Sequence, residues 1–356
     1  MHEANLTRRR LVQGIAATSL ASPLLSRAAL AAAPTPSKVT AELIEAARKE
    51  GKVIWYTAVD LPVAERIAKA FEAKYSGVAV RVERSGGERI FQRIGQEYAS
   101  KIHAVDVVNS SDAAHFIVWK RDGMFAPYVT EDMAAHYPAE HKDPDGLFAN
   151  WRIWLCVIGY NTKLVAAAEA PKSFADLLDP KWSGKMVKAH PGYSGTIMTA
   201  TFQIARDIGW EYFEKLSQQK VMQVQSSADP PKKLALGERA VMADGNEYNL
   251  IQLKEKGEPV EIVYPAEGTP TIIGPSGVMK NAPNPNAARL LQSYMFSAEC
   301  QQLMVDFGGL RSFHALVKDK AGRKPLSEIK LMKDDAAAVE KQADDIKARY
   351  TKYFKV

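Results

Sequence analysis

The sequence predicts an α/β fold in two lobes with a cleft between them. Short apolar runs alternate with stretches of helical spacing along most of the chain, which is the pattern of largely parallel sheets flanked by helices. The alternation halts and restarts at one long apolar run, Trp151 to Gly159. Once an N-terminal segment is set aside, 325 of the 356 residues remain, a length that suits two domains better than one.

That segment reads as an export signal. Thr7-Arg8-Arg9-Arg10-Leu11-Val12-Gln13 is a twin-arginine pattern, followed by an apolar stretch from Gly14 to Leu25, Arg27, and the small-residue site Ala29-Leu30-Ala31. The apolar part is too short to span a bilayer, so residues 1–31 are expected to be cleaved after Ala31 rather than to anchor the chain. Cleavage after Ala33 would place Pro34 on the far side of the cut. The mature protein is therefore expected free in a bacterial periplasm. Cys156 and Cys300 are both far from the cleavage site, and two separately buried thiols are expected.

The formal net charge is +6, and residues 1–31 carry four arginines against one glutamate. The mature chain is thus +3, and its basic residues are scattered among acids. No clustered basic stripe of the kind that binds nucleic acid is present.

The elements follow in order. Residues 39–50 read as an amphipathic helix, 53–57 as a buried strand, and 62–75 as a helix. A strand at 78–82, a helix at 88–101, a strand at 105–108 and a helix at 113–122 complete the first unit. The restart at 151–159 leads to strands at 185–189, 221–225 and 260–264, with helices at 196–207, 210–217 and 246–256. Residues 270–279, rich in Gly, Pro and β-branched side chains, read as a return crossing. A helix spans 287–307 with a break at Ser297, and 334–353 form an amphipathic helix that could clamp the outside. The chain thus crosses between units near 155–161 and again near 265–278.

Four helix starts carry short polar or glycine residues directly after strands. They are Ser85-Gly86-Gly87-Glu88, which has the form of a capping box, Asn109-Ser110-Ser111-Asp112, Ser194-Gly195-Thr196, and Asp244-Gly245-Asn246. A helix start offers free backbone N–H groups and the positive end of a dipole, which favour an anion. Capping explains any single one, but four at strand ends point to a cleft site. Tyr56 and Tyr248 adjoin these ends and could turn a phenol into the cleft, whereas Trp151 and Trp154 read as core. The candidate ligand contacts are Tyr56, Ser85, Gly86, Ser110, Ser111, Ser194, Gly195, Thr196, Asn246 and Tyr248.

Of the histidines, only His190, at a strand end before Pro191, is placed near the cleft. Asp106 and Asp112 could be read as paired carboxylates, but loop solvation accounts for them equally well. No H-E-x-x-H, C-x-x-C, Walker-A or G-x-S-x-G motif occurs, so nothing signals catalysis and no cofactor is expected.

The order of segments resembles the periplasmic solute-binding proteins of ABC importers, in the ferric-binding-protein-like branch (extracellular solute-binding protein family 1). The resemblance is carried by Val53-Ile54-Trp55-Tyr56-Thr57, Val105-Asp106-Val107-Val108, Gly123-Met124-Phe125-Ala126-Pro127 and Ile158-Gly159-Tyr160-Asn161-Thr162. It continues through Ser173 to Lys185, Tyr264-Pro265-Ala266-Glu267-Gly268 and Ala287 to Met304. It implies a type II-like periplasmic binding fold, with lobe 1 formed by 32–154 and 277–320, lobe 2 by 155–276, and a C-terminal helical extension over 321–356. It also implies a monomer that captures a solute and hands it to a membrane permease.

Iron-binding members hold ferric ion with two consecutive tyrosines, and here that place reads Tyr248-Asn249. One phenolate beside an amide suits ferric ion poorly. The resemblance therefore favours a small organic anion (phosphonate, phosphate ester or carboxylate). The alternatives are ferric iron held by Tyr248, with His190 and an external anion, or an exported enzyme.

Overall fold

The computed structural model describes residues 33–356, and the export signal read at residues 1–31 lies outside the described residues. Helix α1 (Ala41–Glu50) starts on Thr40, whose hydroxyl accepts from the Leu43 amide, and stops at Gly51 with φ 72°. There follow β1 (Lys52–Thr57), α2 (Leu61–Lys74), β2 (Ala79–Arg84), α3 (Gly87–Ala99), β3 (Val107–Asn109), α4 (Ala114–Arg121) and α5 (Glu131–His136). Strand β1 pairs in parallel with β2 on one side and β3 on the other. Their carboxyl ends, and the helix starts beyond them, consequently face the same way.

The long apolar run is β4 (Ala149–Asn161), buried almost throughout. After it come β5 (Met186–Ala189), α6 (Gly195–Asp207), α7 (Trp210–Ser217), β6 (Met222–Val224), α8 (Asp229–Ala235), β7 (Val241–Asn246) and α9 (Glu247–Glu255). The remainder is β8 (Val260–Val263), β9 (Thr269–Val278), α10 (Pro285–Phe296), α11 (Ala298–Asp306), β10 (Leu331–Met332) and α12 (Ala336–Phe354).

The strand order β2-β1-β3-β9-β4-β7-β5-β6 shows how the lobes are joined. Residues 149–155 of β4 pair antiparallel with β9, whereas residues 156–161 pair with β7 and β8. One strand therefore passes the sheet from the first lobe to the second. Within the second lobe β5 runs parallel to both β6 and β7. Strands β1, β2 and β3 and strands β5, β6 and β7 are joined by parallel pairs, whereas every pair made by β4 is antiparallel.

Each lobe has its own apolar core, one around Trp55, Phe71, Trp151 and Leu290, the other around Phe174, Phe213, Trp182 and Tyr350. Full burial of each large apolar side chain contributes roughly 1.5–3 kcal/mol. Cys156 and Cys300 are buried and unpaired. No helix of the described residues is long and apolar enough to cross a membrane.

One helix was not read from the sequence, and one break that was read is seen in full. Helix α8, which carries Pro230 and Pro231, was not among the elements read from the sequence. The prolines sit in its first turn, where the missing N–H would have no helical partner anyway. The break at Ser297 is complete: the residue is extended (φ −69°, ψ 151°), and its hydroxyl accepts from the Cys300 amide to begin α11.

Candidate functional site

Three of the four polar helix starts meet at the junction of the lobes. A Cβ on Gly86 would stand 2.4 Å from the Tyr193 carbonyl oxygen, and one on Gly195 would stand 2.8 Å from Asp112 Cβ. A Cβ on Gly87 would likewise meet Ser110 and Ser111. These glycines let the starts of α3, α4 and α6 approach one another across the junction of the lobes. Ser110, Ser111, Ser194, Gly195 and Thr196 are buried in that junction, and Ser85 and Gly86 are half-buried at its edge.

The capping box expected at Ser85–Glu88 does not form. Gly86 is the cap residue of α3 and no side chain caps it. Glu88 instead accepts from His115 Nε2 at 2.9 Å and pairs with Lys347 of α12 at 2.8 Å. Burial alone would push the Glu88 carboxyl up, but the charges and hydrogen bonds of His115 and Lys347 outweigh it and hold it near 2. Asp112 lies in the same buried group and is raised by burial to about 6, despite the favourable charge of His115. Glu88, Asp112 and His115 are spaced as a metal could require; the Lys347 ammonium already bonded to Glu88 supplies the cation there.

The fourth helix start, at Asn246, lies beside a feature not singled out in the sequence. Arg152, in the first half of β4, is 1% exposed. No carboxylate lies within ion-pair distance of it among the described residues. Its guanidinium lies 4.3 Å from the Trp154 ring centroid and 5.7 Å from that of Trp151. One Nη donates to the Ser110 carbonyl at 3.4 Å, and Nε has no partner. Burial pulls its pKa down to about 10, against the opposing pull of Tyr248 and Asp60. A buried cation without an ion-pair partner is costly, and here the two indole faces and the Ser110 carbonyl offset only part of that cost. The sequence signal was available: an arginine inside an otherwise apolar run.

Asn246 gathers this part of the site. Its side-chain oxygen accepts from Trp154 Nε1 at 3.2 Å, and its amide donates to Tyr248 Oη at 3.2 Å and Asn249 Oδ1 at 2.9 Å. Tyr248 is buried edge-on to Trp154, and burial first, then the charge of Asp60, raises its phenol far above the usual range. Asn249 donates across the cleft to Asp60.

A cavity of about 490 Å³ opens beside this group. It is lined from the first lobe by Asp60, Arg84 and Arg89, and from the second by Gln225, Asp229, Lys232, Asn249 and Lys256, among others. None of the ten sequence-predicted contacts lines it. Asn246 and Tyr248 stand behind Asn249, while the serines and glycines pack in the junction.

Two expectations are corrected. Tyr56 does not join the group: its hydroxyl donates to Glu97 at 2.9 Å, and Arg93 covers its ring under α3. His190 is not beside Tyr248. Its Nδ1 accepts from the Gly192 amide, and its ring packs against Tyr193 and Tyr350. Asp106 is structural, accepting from the Ile54 and Asn284 amides, and Asp244 is used by a buried pair with Lys188.

Residues 104–330 match the family described as bacterial extracellular solute-binding protein. A putative 2-aminoethylphosphonate-binding periplasmic protein of Salmonella typhimurium is 28% identical over 295 residues, 78% of this chain and 80% of that one. Among solved structures, the periplasmic binding protein AfuA from Actinobacillus pleuropneumoniae, with fructose-6-phosphate bound, superposes with a TM-score of 0.78. It is 23% identical, and the match covers 86% of this chain and 99% of that one. Iron-bound HitA from Pseudomonas aeruginosa gives a TM-score of 0.72 at 23% identity, over 85% and 99% of the two chains. The fold is the type II periplasmic binding fold. The chain belongs to the bacterial extracellular solute-binding proteins, a non-catalytic family.

Proposed function

We propose that this periplasmic substrate-binding component of an ABC transporter captures a small organic anion (a phosphonate, phosphate ester or carboxylate) in the interlobe cleft and delivers it to an inner-membrane permease. The single observation that carries the anion is Arg152, buried and unmatched by any acid, with Nε unpartnered. Arg84 and Arg89 on one wall and Lys232 and Lys256 on the other attract the same sign of charge at the mouth. Asn249, which lines the cavity, supplies a neutral polar contact for the body of the solute, with Asn246 and Tyr248 bonded behind it.

Ferric iron is disfavoured by the same residue. A trivalent cation at Tyr248 would face the Arg152 guanidinium, and the neighbouring position offers an amide rather than a second phenolate. The phosphonate relative and the sugar-phosphate complex support the anion reading. The lobes are proposed to divide as 32–154 with 277–320, and 155–276, with 321–356 as an extension. The folded protein is proposed to be exported by the twin-arginine route and its signal then cleaved near Ala31, which N-terminal sequencing of the periplasmic protein would check.

The test of the ligand is native mass spectrometry of the protein purified from periplasm without unfolding. A bound organic anion is expected, identified by its mass. An adduct with the mass of iron would overturn the reading.

A further inference from the structure

Helix α12 touches both lobes, and its hold on them is unequal. On the second lobe Tyr350 is fully buried. It packs against Phe213 and His190 and donates to Gln223 at 2.8 Å. Arg349 lies over the Trp210 ring, and Tyr353 packs beside it. On the first lobe the helix makes two ion pairs, Glu340 with Arg121 at 3.0 Å and Lys347 with Glu88 at 2.8 Å. Between them Val339 and Ile346 cover Ala114 at the start of α4 and Met198 and Phe202 of α6. The helix thus lies over the junction where the lobes meet, and none of its residues lines the cavity.

Lys347 also ends a chain of contacts that reaches the cleft. Its ammonium holds Glu88, Glu88 holds His115 Nε2, and His115 Nδ1 is hydrogen-bonded to Ser110 Oγ at 2.8 Å. The carbonyl of Ser110 accepts from Arg152. A side chain anchored through the second lobe therefore completes a buried network on the first, and opening the lobes would uncouple them.

We propose that α12 is a strap carried by the second lobe, whose Lys347 clasps Glu88 of the first and holds the lobes closed before any solute is present. The inference rests on the two-lobed fold and not on the identity of the solute. The pair with buried Glu88 matters more than the exposed Arg121–Glu340 pair, since solvent-exposed ion pairs contribute little, whereas a buried carboxylate that loses a partner is left uncompensated.

The test needs no ligand. Spin labels placed at Lys49→Cys on α1 and Glu214→Cys on α7 report the lobe separation in full-length solute-free protein by pulsed dipolar spectroscopy. Both positions are exposed and both native cysteines are buried. The unsubstituted strap should give a dominant short distance. Lys347→Met should shift the population to longer distances, and Lys347→Arg, which keeps the charge, should restore the short one. Identical distributions for Lys347 and Met would overturn the proposal, as would a wholly open protein with Lys347 in place. Because Lys347 is one-third exposed, its replacement leaves the core intact.

Discussion

Asn249 donates its side-chain amide to the Asp60 carboxylate across the cleft, joining the start of α9 to the start of α2. Asp60 precedes α2 yet does not cap it with its side chain; the carboxylate is turned to the opposite lobe. Arg89 bonds Gln225 and covers Tyr193 in a second interlobe contact. Both residues of each contact line or border the cavity, so its walls are tied directly to closure.

Arg152→Met should nearly abolish capture of the organic anion while leaving the unliganded protein as stable as before, or more so. Charge-assisted hydrogen bonds are worth roughly 1.5–3 kcal/mol, so affinity should fall about 10- to 150-fold or more. Replacing an unmatched buried charge with an apolar chain removes a desolvation cost. Calorimetric titration with the anion identified by mass, beside thermal melts without it, checks both halves. Unchanged affinity would remove the main support for the anion reading.

Tyr248→Phe is milder. It removes one phenolic hydroxyl that accepts from Asn246 and keeps the ring against Trp154. A neutral hydrogen bond contributes roughly 0.5–1.5 kcal/mol; its loss behind the cavity wall should lower the melting temperature slightly and weaken binding by no more than about 12-fold. An unaltered dissociation constant would place the phenol outside the solute's reach.

The fold was legible because its elements are set by local rules. Apolar runs bounded by polar ends mark β1 and β4, and Ser297 signals its break as a cap residue should. The site was less legible because its contacts are between residues far apart in sequence. Glu88 looked like a capping partner of Ser85 three residues away, but it belongs to His115 and Lys347, 27 and 259 positions on. Tyr56 adjoins a polar strand end, yet strand alternation turns it to the α3 face and not to the cleft. Arg152 was hidden by the strength of the apolar run around it, although a charge in such a run is its most informative residue.

Gly86→Ala should impair closure specifically. Its backbone, φ −65° and ψ 148°, suits any residue, so the lobe itself loses nothing. The added methyl would stand 2.4 Å from a main-chain oxygen of the other lobe, which no rotamer change can relieve. Overpacking of this kind costs roughly 1–3 kcal/mol, which predicts about a 5- to 150-fold loss of solute affinity with a near-normal melt of the solute-free protein. A loss of stability without a loss of affinity would show that this approach is not remade on binding.

The buried acids beneath α12 predict an unusual pH profile. Asp112 is raised by burial to about 6, and Asp334 is raised by burial and by Asp112 to about 7. The native state therefore holds these protons more tightly than the unfolded chain, and both groups stabilise the fold as pH falls from about 7 towards their ordinary value near 3.8. His115 acts in the same direction. Burial would lower it, but Asp112 and Glu88 raise it above 6.5, so its contribution is present below that pH and lost as pH rises through the folded value. Glu88, held near 2, contributes above its ordinary 4.5 and fails only as pH drops through that interval. Lys347 and Arg206 are the cations that face the group. Stability should thus peak at about pH 4.5–6 rather than at neutrality. Urea unfolding at half-unit steps from pH 3 to 8 measures it, and Asp112→Asn should flatten the rise between pH 7 and 5. A profile level from pH 5 to 8 in both proteins would mean that these carboxyls are hydrated in solution and that the junction under α12 stands open.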